Sequence, residues 1–148
     1  MKIAKLTILG VLTLVLFVSC SPSVTSNLVR GADLSKYKYV VWPMETTGDQ
    51  GLGYALFDAY SSMTETRLKV ISEDDQIYYP RSETLISHCH VSQNVRESLV
   101  SIDFKDAVTG LPILYVKGSY GMGSSLSEDM EGALRGLKRE LLKYFPSE

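Results

Sequence analysis

Two histidines and two cysteines in 148 residues leave little material for a metal site, a nucleophilic dyad or a disulfide framework. Neither sign of charge dominates, with 15 Lys and Arg against 17 Asp and Glu. A chain so balanced lacks the basic face that holds a phosphate backbone, so nucleic acid is not an expected partner. The patterns G-x-S-x-G, P-loop and H-E-x-x-H are all missing, which removes the commonest hydrolase, nucleotidase and zinc-peptidase chemistries. No internal repeat and no low-complexity tract occurs. Nor is there an apolar run of about 20 residues, the length needed to cross a bilayer. What is present is an ordinary globular mixture, 45% hydrophobic and 22% charged, sufficient for one core and one domain.

The longest apolar run, Leu6–Val18, follows the basic residues Lys2 and Lys5 and ends at Val18-Ser19-Cys20. A basic start, a short apolar stretch and a small residue before the cut define a secretion signal over residues 1–19. Phe17-Val18-Ser19-Cys20 resembles the lipobox of bacterial lipoproteins, which implies that Cys20 becomes the lipidated first residue of the mature chain. Removing Lys2 and Lys5 leaves 13 basic against 17 acidic residues, a mild negative charge that favours solubility. Each buried CH₂ of a lipid contributes about 0.8 kcal/mol, and more than one chain is needed for stable anchoring. No acidic run follows Cys20, so the expected location is the outer membrane, facing the periplasm. With Cys20 lipidated, Cys89 has no partner cysteine and reads as a small buried residue.

Residues 20–33, rich in serine with Pro22 and Gly31, read as a flexible lipidated tether, with a single domain over 34–148. Tyr37–Met44 is aromatic and β-branched, hence a strand; Thr46–Gly53 reads as a loop. Leu52, Leu56, Ala59 and Met63, with Arg67 beyond, follow helical spacing over about 51–67. A short strand is expected at Leu68–Ser72 and a solvated turn at Glu73-Asp74-Asp75. Leu85–Val91 is a third strand, with Leu85, Ser87, Cys89 and Val91 on one face and Ile86, His88 and His90 on the other. Leu99–Lys105 alternates, Val100, Ile102 and Phe104 inward and Ser101, Asp103 and Lys105 outward. Asp106–Gly110 makes a hairpin loop and Leu111–Tyr120 returns. Ser125-Leu126-Ser127-Glu128 is a capping box. The stripe Met130, Leu134, Leu137, Leu141 then runs to Tyr144 or Phe145, and Pro146 stops the helix. The fold class is therefore α/β (α+β): a mostly antiparallel sheet of 4–6 strands with two helices, ordered β-α-β-β-β-(β)-α.

Each chemical possibility is thin. Gly48–Gly53 lies between a strand and a helix, but the third glycine of a dinucleotide fingerprint would fall on Leu56. His88 and His90 share a strand face, with Asp103 outward on a neighbouring strand, but zinc requires three or four ligands and no third is assured. Cys89 points away from both, against a Cys–His dyad. Glu73-Asp74-Asp75 lacks the spacing and glycine of an EF-hand. No catalytic, cofactor or metal residue is therefore expected, and Cys20 is the one site residue. The aromatics Tyr37, Tyr39, Trp42, Tyr54, Tyr60, Tyr78 and Tyr79 divide between core and a partner surface.

Ser98–Gly110, then Tyr115-Val116-Lys117-Gly118-Ser119, then a helix closing on Tyr144-Phe145-Pro146 resembles a family of small bacterial lipoproteins of unknown function. The shared marks are an Asp-x-x-Thr-Gly hairpin, a strand running into glycine and a closing amphipathic helix. Leu34–Trp42 is similar as well, whereas Pro112 breaks the family's run of β residues and segment 73–84 matches nothing. More distantly, the chain is similar to the TolB amino-terminal domain and to curli-secretion and penicillin-binding-protein-activator lipoproteins. The resemblance carries no catalytic residues. It implies a non-enzymatic envelope role, and the expected function is that of a periplasm-facing, membrane-anchored lipoprotein that binds another envelope protein. Two alternatives stand beside it: a hydrolase or metal-dependent enzyme using the His88/His90 face, and a small-ligand or cell-wall binder.

Overall fold

The computed structural model describes residues 21–42, 47–48 and 53–147. The expected signal, Cys20 and most of the Thr46–Gly53 loop lie outside the described residues. Strands are β1 (Ser23–Leu28), β2 (Tyr39–Val41), β3 (Thr47–Gly48), β4 (Lys69–Ile71), β5 (Thr84–Gln93), β6 (Ser98–Asp106) and β7 (Pro112–Tyr120). Helices are α1 (Gly53–Thr64) and α2 (Leu126–Tyr144), with short 3₁₀ turns at Asp74–Tyr78 and Arg81–Glu83. The sheet runs β1-β7-β6-β5-β2-β4, with β3 pairing the end of β5. Pairing is antiparallel from β1 to β5 and parallel among β5, β2 and β4. This is the expected α+β class, two helices on a mostly antiparallel sheet.

Both helices lie on one face. Val100, Ile102 and Phe104 of β6 join Leu85, Cys89 and Val91 of β5 and Leu114 and Val116 of β7 in the core. Met130, Leu134, Leu137 and Leu141 cover them from α2, and Ala55, Ala59 and Met63 from α1. The same periodicity keeps Glu131, Arg135 and Arg139 exposed. Helix α2 rests chiefly on β7 and only then on β6; the sequence pattern points to β6 because β7 alternates less cleanly. The contact is close because Gly118 on β7 faces the backbone of Ala133 and Leu137.

The structure corrects several boundaries. Residues 23–28, expected in a tether, form β1, paired along its whole length with β7 from Ser23↔Ser119 to Leu28↔Leu114. Its polar side chains are used: the Ser26 hydroxyl donates to Glu140 at 2.8 Å and lies 2.9 Å from the Tyr144 hydroxyl, fastening β1 under α2. Helix α1 stops at Thr64 rather than at 67. There the hydroxyls of Thr64 and Thr66 donate to the carbonyls of Ser61 and Met63 at 2.7 Å, a local competition that ends helices. Arg67, freed from the helix, donates to the carbonyls of Tyr37 and Leu34 at 2.7 Å and sits over the Phe145 ring. Ser125 caps α2 by accepting from the Glu128 amide, but Glu128 reaches past it to the Ser124 amide and hydroxyl. Pro112 begins β7, a position that tolerates a missing N–H. Ser101 lies on the outward face yet is buried, a short side chain between His90 and Lys117.

Candidate functional site

Strand β5 carries His88 and His90 outward on the face without helices, where both are exposed. In register, His88 stands opposite Asp103 and His90 opposite Ser101. Among the described residues no group of three His, Cys, Asp or Glu side chains is placed to hold a metal. Cys89 lies on the other face, almost fully buried, and burial pushes its thiol up to about 12. A thiol held protonated on the core side is out of reach of the solvent-side histidines as activating bases.

The most perturbed carboxyl in the described chain belongs to the hairpin. The side chain of Asp106 accepts from the amides of Thr109 (2.8 Å) and Val108 (3.0 Å), the Thr109 hydroxyl, the Tyr37 hydroxyl (2.8 Å) and the Lys36 ammonium (3.2 Å). Led by the Thr109 amide, these donors hold its pKa well below the usual carboxylate range. This gives the Asp-x-x-Thr-Gly mark a physical meaning: Asp106 closes the turn, Gly110 supplies φ +70°, and Tyr37 ties the turn to the start of β2. The cluster is structural, because every donor is spent on folding contacts. Asp106→Asn replaces an acceptor oxygen by an amide facing Tyr37 and Lys36, and is expected to cost about 1.5–3 kcal/mol at neutral pH. The folded pKa lies below the unfolded value of about 3.9, so this stabilisation is full above that value and fades as pH falls through and below it. Urea midpoints of the two proteins should therefore differ most near neutrality and converge under acid; a constant gap from pH 7 to pH 2 would refute the assignment.

Apolar surface collects elsewhere. On α1, Tyr54 and Phe57 are one turn apart and point to solvent, with Phe57 67% exposed. Tyr60, a further turn on, meets Trp42 edge to face with centroids 5.7 Å apart. Trp42 and Tyr60 form one wall of an open depression of about 460 Å3, shared with Lys69, Val70, Ile71, Ser72, Asp75 and Tyr79. Tyr79 packs on Tyr39 at 4.7 Å and takes a 2.9 Å hydrogen bond from Lys69. That bond is the main reason the ammonium pKa is raised. Beyond it, Ile77 and Tyr78 are 80% and 76% exposed on the 3₁₀ turn. Of the seven aromatics singled out in the sequence, Tyr37 is core. Trp42, Tyr60 and Tyr79 line this one depression with only part of each ring exposed, Tyr39 packs behind Tyr79, and Tyr54 and Tyr78 are exposed on separate elements. Phe57 escapes a reading of the sequence; its only signal there is the three-residue spacing from Tyr54.

No protein-family model matches the chain, and no curated protein does. Solved structures do. PelC from Paraburkholderia phytofirmans, solved as a dodecamer, superposes with a TM-score of 0.56 at 12% identity, covering 85% of this chain and 100% of that one. A single-residue variant of the same dodecamer gives 0.56 at 13% identity over the same shares. The C-terminal domain of LpoB from Salmonella enterica overlaps more loosely, with a TM-score of 0.44 at 12% identity over 64% of this chain and 88% of that domain. At such identities the PelC likeness establishes a shared fold.

Proposed function

We propose that this protein is a lipid-anchored component of the cell envelope that works by binding another envelope protein, not by catalysis. The observation that carries the reading is the aromatic surface of α1, where Tyr54, Phe57 and Tyr60 present large side chains to solvent, beside a depression walled by the partly buried Trp42. Contiguous aromatic surface of this kind is what a protein partner desolvates. The perturbed carboxyls, in contrast, serve the fold: Asp106 closes a turn, Glu128 caps α2, and Glu140 bonds Lys143 and Ser26. Lipid on Cys20 would hold the domain at the outer membrane, facing the periplasm.

A photo-crosslinking residue at position 54 of the full-length protein in intact cells should give one discrete adduct, and Phe57→Ala should abolish it. The same residue at Arg139, on the exposed side of α2, should give none. No adduct at position 54, or one indifferent to Phe57, would sink the proposal. A second reading, that the partner is another copy of this chain, is favoured by the PelC likeness, since PelC was solved as a dodecamer; an adduct of twice the chain mass would select it. In a separate arm, Cys20→Ser should move the protein to the soluble fraction or block its processing. Unchanged membrane fractionation and mature size would refute the anchor.

A further inference from the structure

The strand that replaces the expected tether leaves almost no slack between the lipid site and the fold. Ser21 and Pro22 alone separate Cys20 from the first residue of β1. Three Cα steps span at most about 11 Å, so a lipid on Cys20 enters the bilayer within that distance of Ser23. The antiparallel order then dictates what else sits there. Strand β1 begins, β5 ends, β6 begins and β7 ends at the same end of the sheet. A shallow hollow at this end is bordered by Ser21, Ser23, Arg96, Glu97, Gly121 and Met122.

Two loops project from it. Residues 94–97 join β5 to β6 as a fixed turn: the Asn94 side chain accepts from the amides of Arg96 (2.8 Å) and Glu97 (3.1 Å), and the Asn94 amide donates to the Glu97 carbonyl at 3.0 Å. At its tip Val95 is 92% exposed. The loop after β7 packs against this turn so closely that a Cβ on Gly121 would strike the Arg96 carbonyl, and it carries Met122, 63% exposed. The turn is held by its own hydrogen bonds, and among the described residues its apolar tip is left almost wholly to solvent.

We propose that Val95 and Met122 enter the headgroup layer of the membrane that holds the lipid, so that the domain stands end-on to the bilayer with its sheet strands rising from it. The proposal rests on the Cys20 anchor. The headgroup layer is about 5–8 Å deep on each side, comparable with the reach allowed by Ser21 and Pro22. Exposed Arg96 lies at the level of lipid phosphates, where a long basic side chain keeps its charge wet. Glu97 and Glu128 also face this region, and as acids they favour shallow insertion of the two apolar tips alone. The other apolar tip of the meander, Val108 and Leu111, lies a full strand length away, about 25–30 Å along β7, and stays in water.

The test uses the lipidated full-length protein reconstituted into vesicles of phosphatidylethanolamine and phosphatidylglycerol. An environment-sensitive fluorophore is placed on Val95→Cys, Met122→Cys or Val108→Cys in turn. Cys20 is blocked by lipid and buried Cys89 stays unlabelled, as the unsubstituted protein would verify. Emission at 95 and 122 should shift to the blue and be quenched by lipid-borne nitroxides, while emission at 108 should do neither. Vesicle flotation reads the anchor independently. Flotation with no shift at 95 and 122 overturns the end-on placement and leaves the anchor standing; loss of flotation means the anchor itself has failed. A shift at 95 seen in cells but not on protein-free vesicles assigns this tip to a protein partner and overturns the proposal as well.

Discussion

Gly118→Ala is expected to lift helix α2 from the sheet and to destabilise the domain severely. The new Cβ would strike the carbonyl oxygen of Ala133 and stand 2.7 Å from the amide nitrogen of Leu137. Both are backbone atoms of α2, so no side-chain rotation relieves the clash, and the whole helix must lift from β7. Overpacking a core with flexible neighbours costs about 1–3 kcal/mol. With rigid backbone on the receiving side, about 3 kcal/mol or more is expected, against a total stability of about 5–15 kcal/mol for a domain of this kind. Gly53→Ala is the control, because a Cβ there meets nothing within 4 Å; it should change stability by no more than about 0.5 kcal/mol. Urea denaturation followed by circular dichroism distinguishes them, and equal midpoints would mean that α2 does not sit on β7 as described.

Leu137→Ala tests the same contact from the opposite side. Leu137 is fully buried, in the stripe it shares with Met130, Leu134 and Leu141. Deleting its isobutyl group leaves a cavity beneath a helix held on several sides, which costs about 2–5 kcal/mol. One position on, Lys138 makes a 2.7 Å ion pair with Glu65 of the chain just beyond α1, at the surface, and such exposed pairs are worth about 0–1 kcal/mol. Lys138→Ala should therefore be nearly silent, and comparable losses in the two variants would argue against burial of this face. Leu137→Ala should not rescue Gly118→Ala, because the alanine at 118 collides with the Leu137 amide and not with its side chain.

Elements whose sequence repeats match their own geometry were legible before the structure. The alternation of Val100, Ile102 and Phe104 and the four-three-four spacing of Met130, Leu134, Leu137 and Leu141 each express one buried face, and both faces are where the pattern puts them. Strand β1 was illegible for a physical reason. Ser-Val-Thr-Ser-Asn-Leu covers little apolar surface, and its stability comes from hydrogen bonds to β7, at the far end of the chain. Local composition reports none of that. Gly118 was visible as a mark but not as a cause, since its role is to make room for a helix fifteen residues later. At the candidate surface, single aromatics were legible and their convergence was not: Trp42, Tyr60 and Tyr79 come from three elements brought together only by the parallel pairing of β2 with β4 and the packing of α1.

The pairing of β1 with β7 also sets an order of assembly. The meander β5-β6-β7 and helix α2 are neighbours along the chain, so their loops close at small entropic cost and early. The first strand made must wait for the last one, and until β7 exists the residues of β1 have nothing to bond. Unsealed, β7 would offer its free edge to any other extended chain in the compartment, an open template for aggregation. A soluble version of the domain trimmed back to Leu34, a natural choice from composition alone, would keep the hydrophobic core and discard the strand that guards its edge.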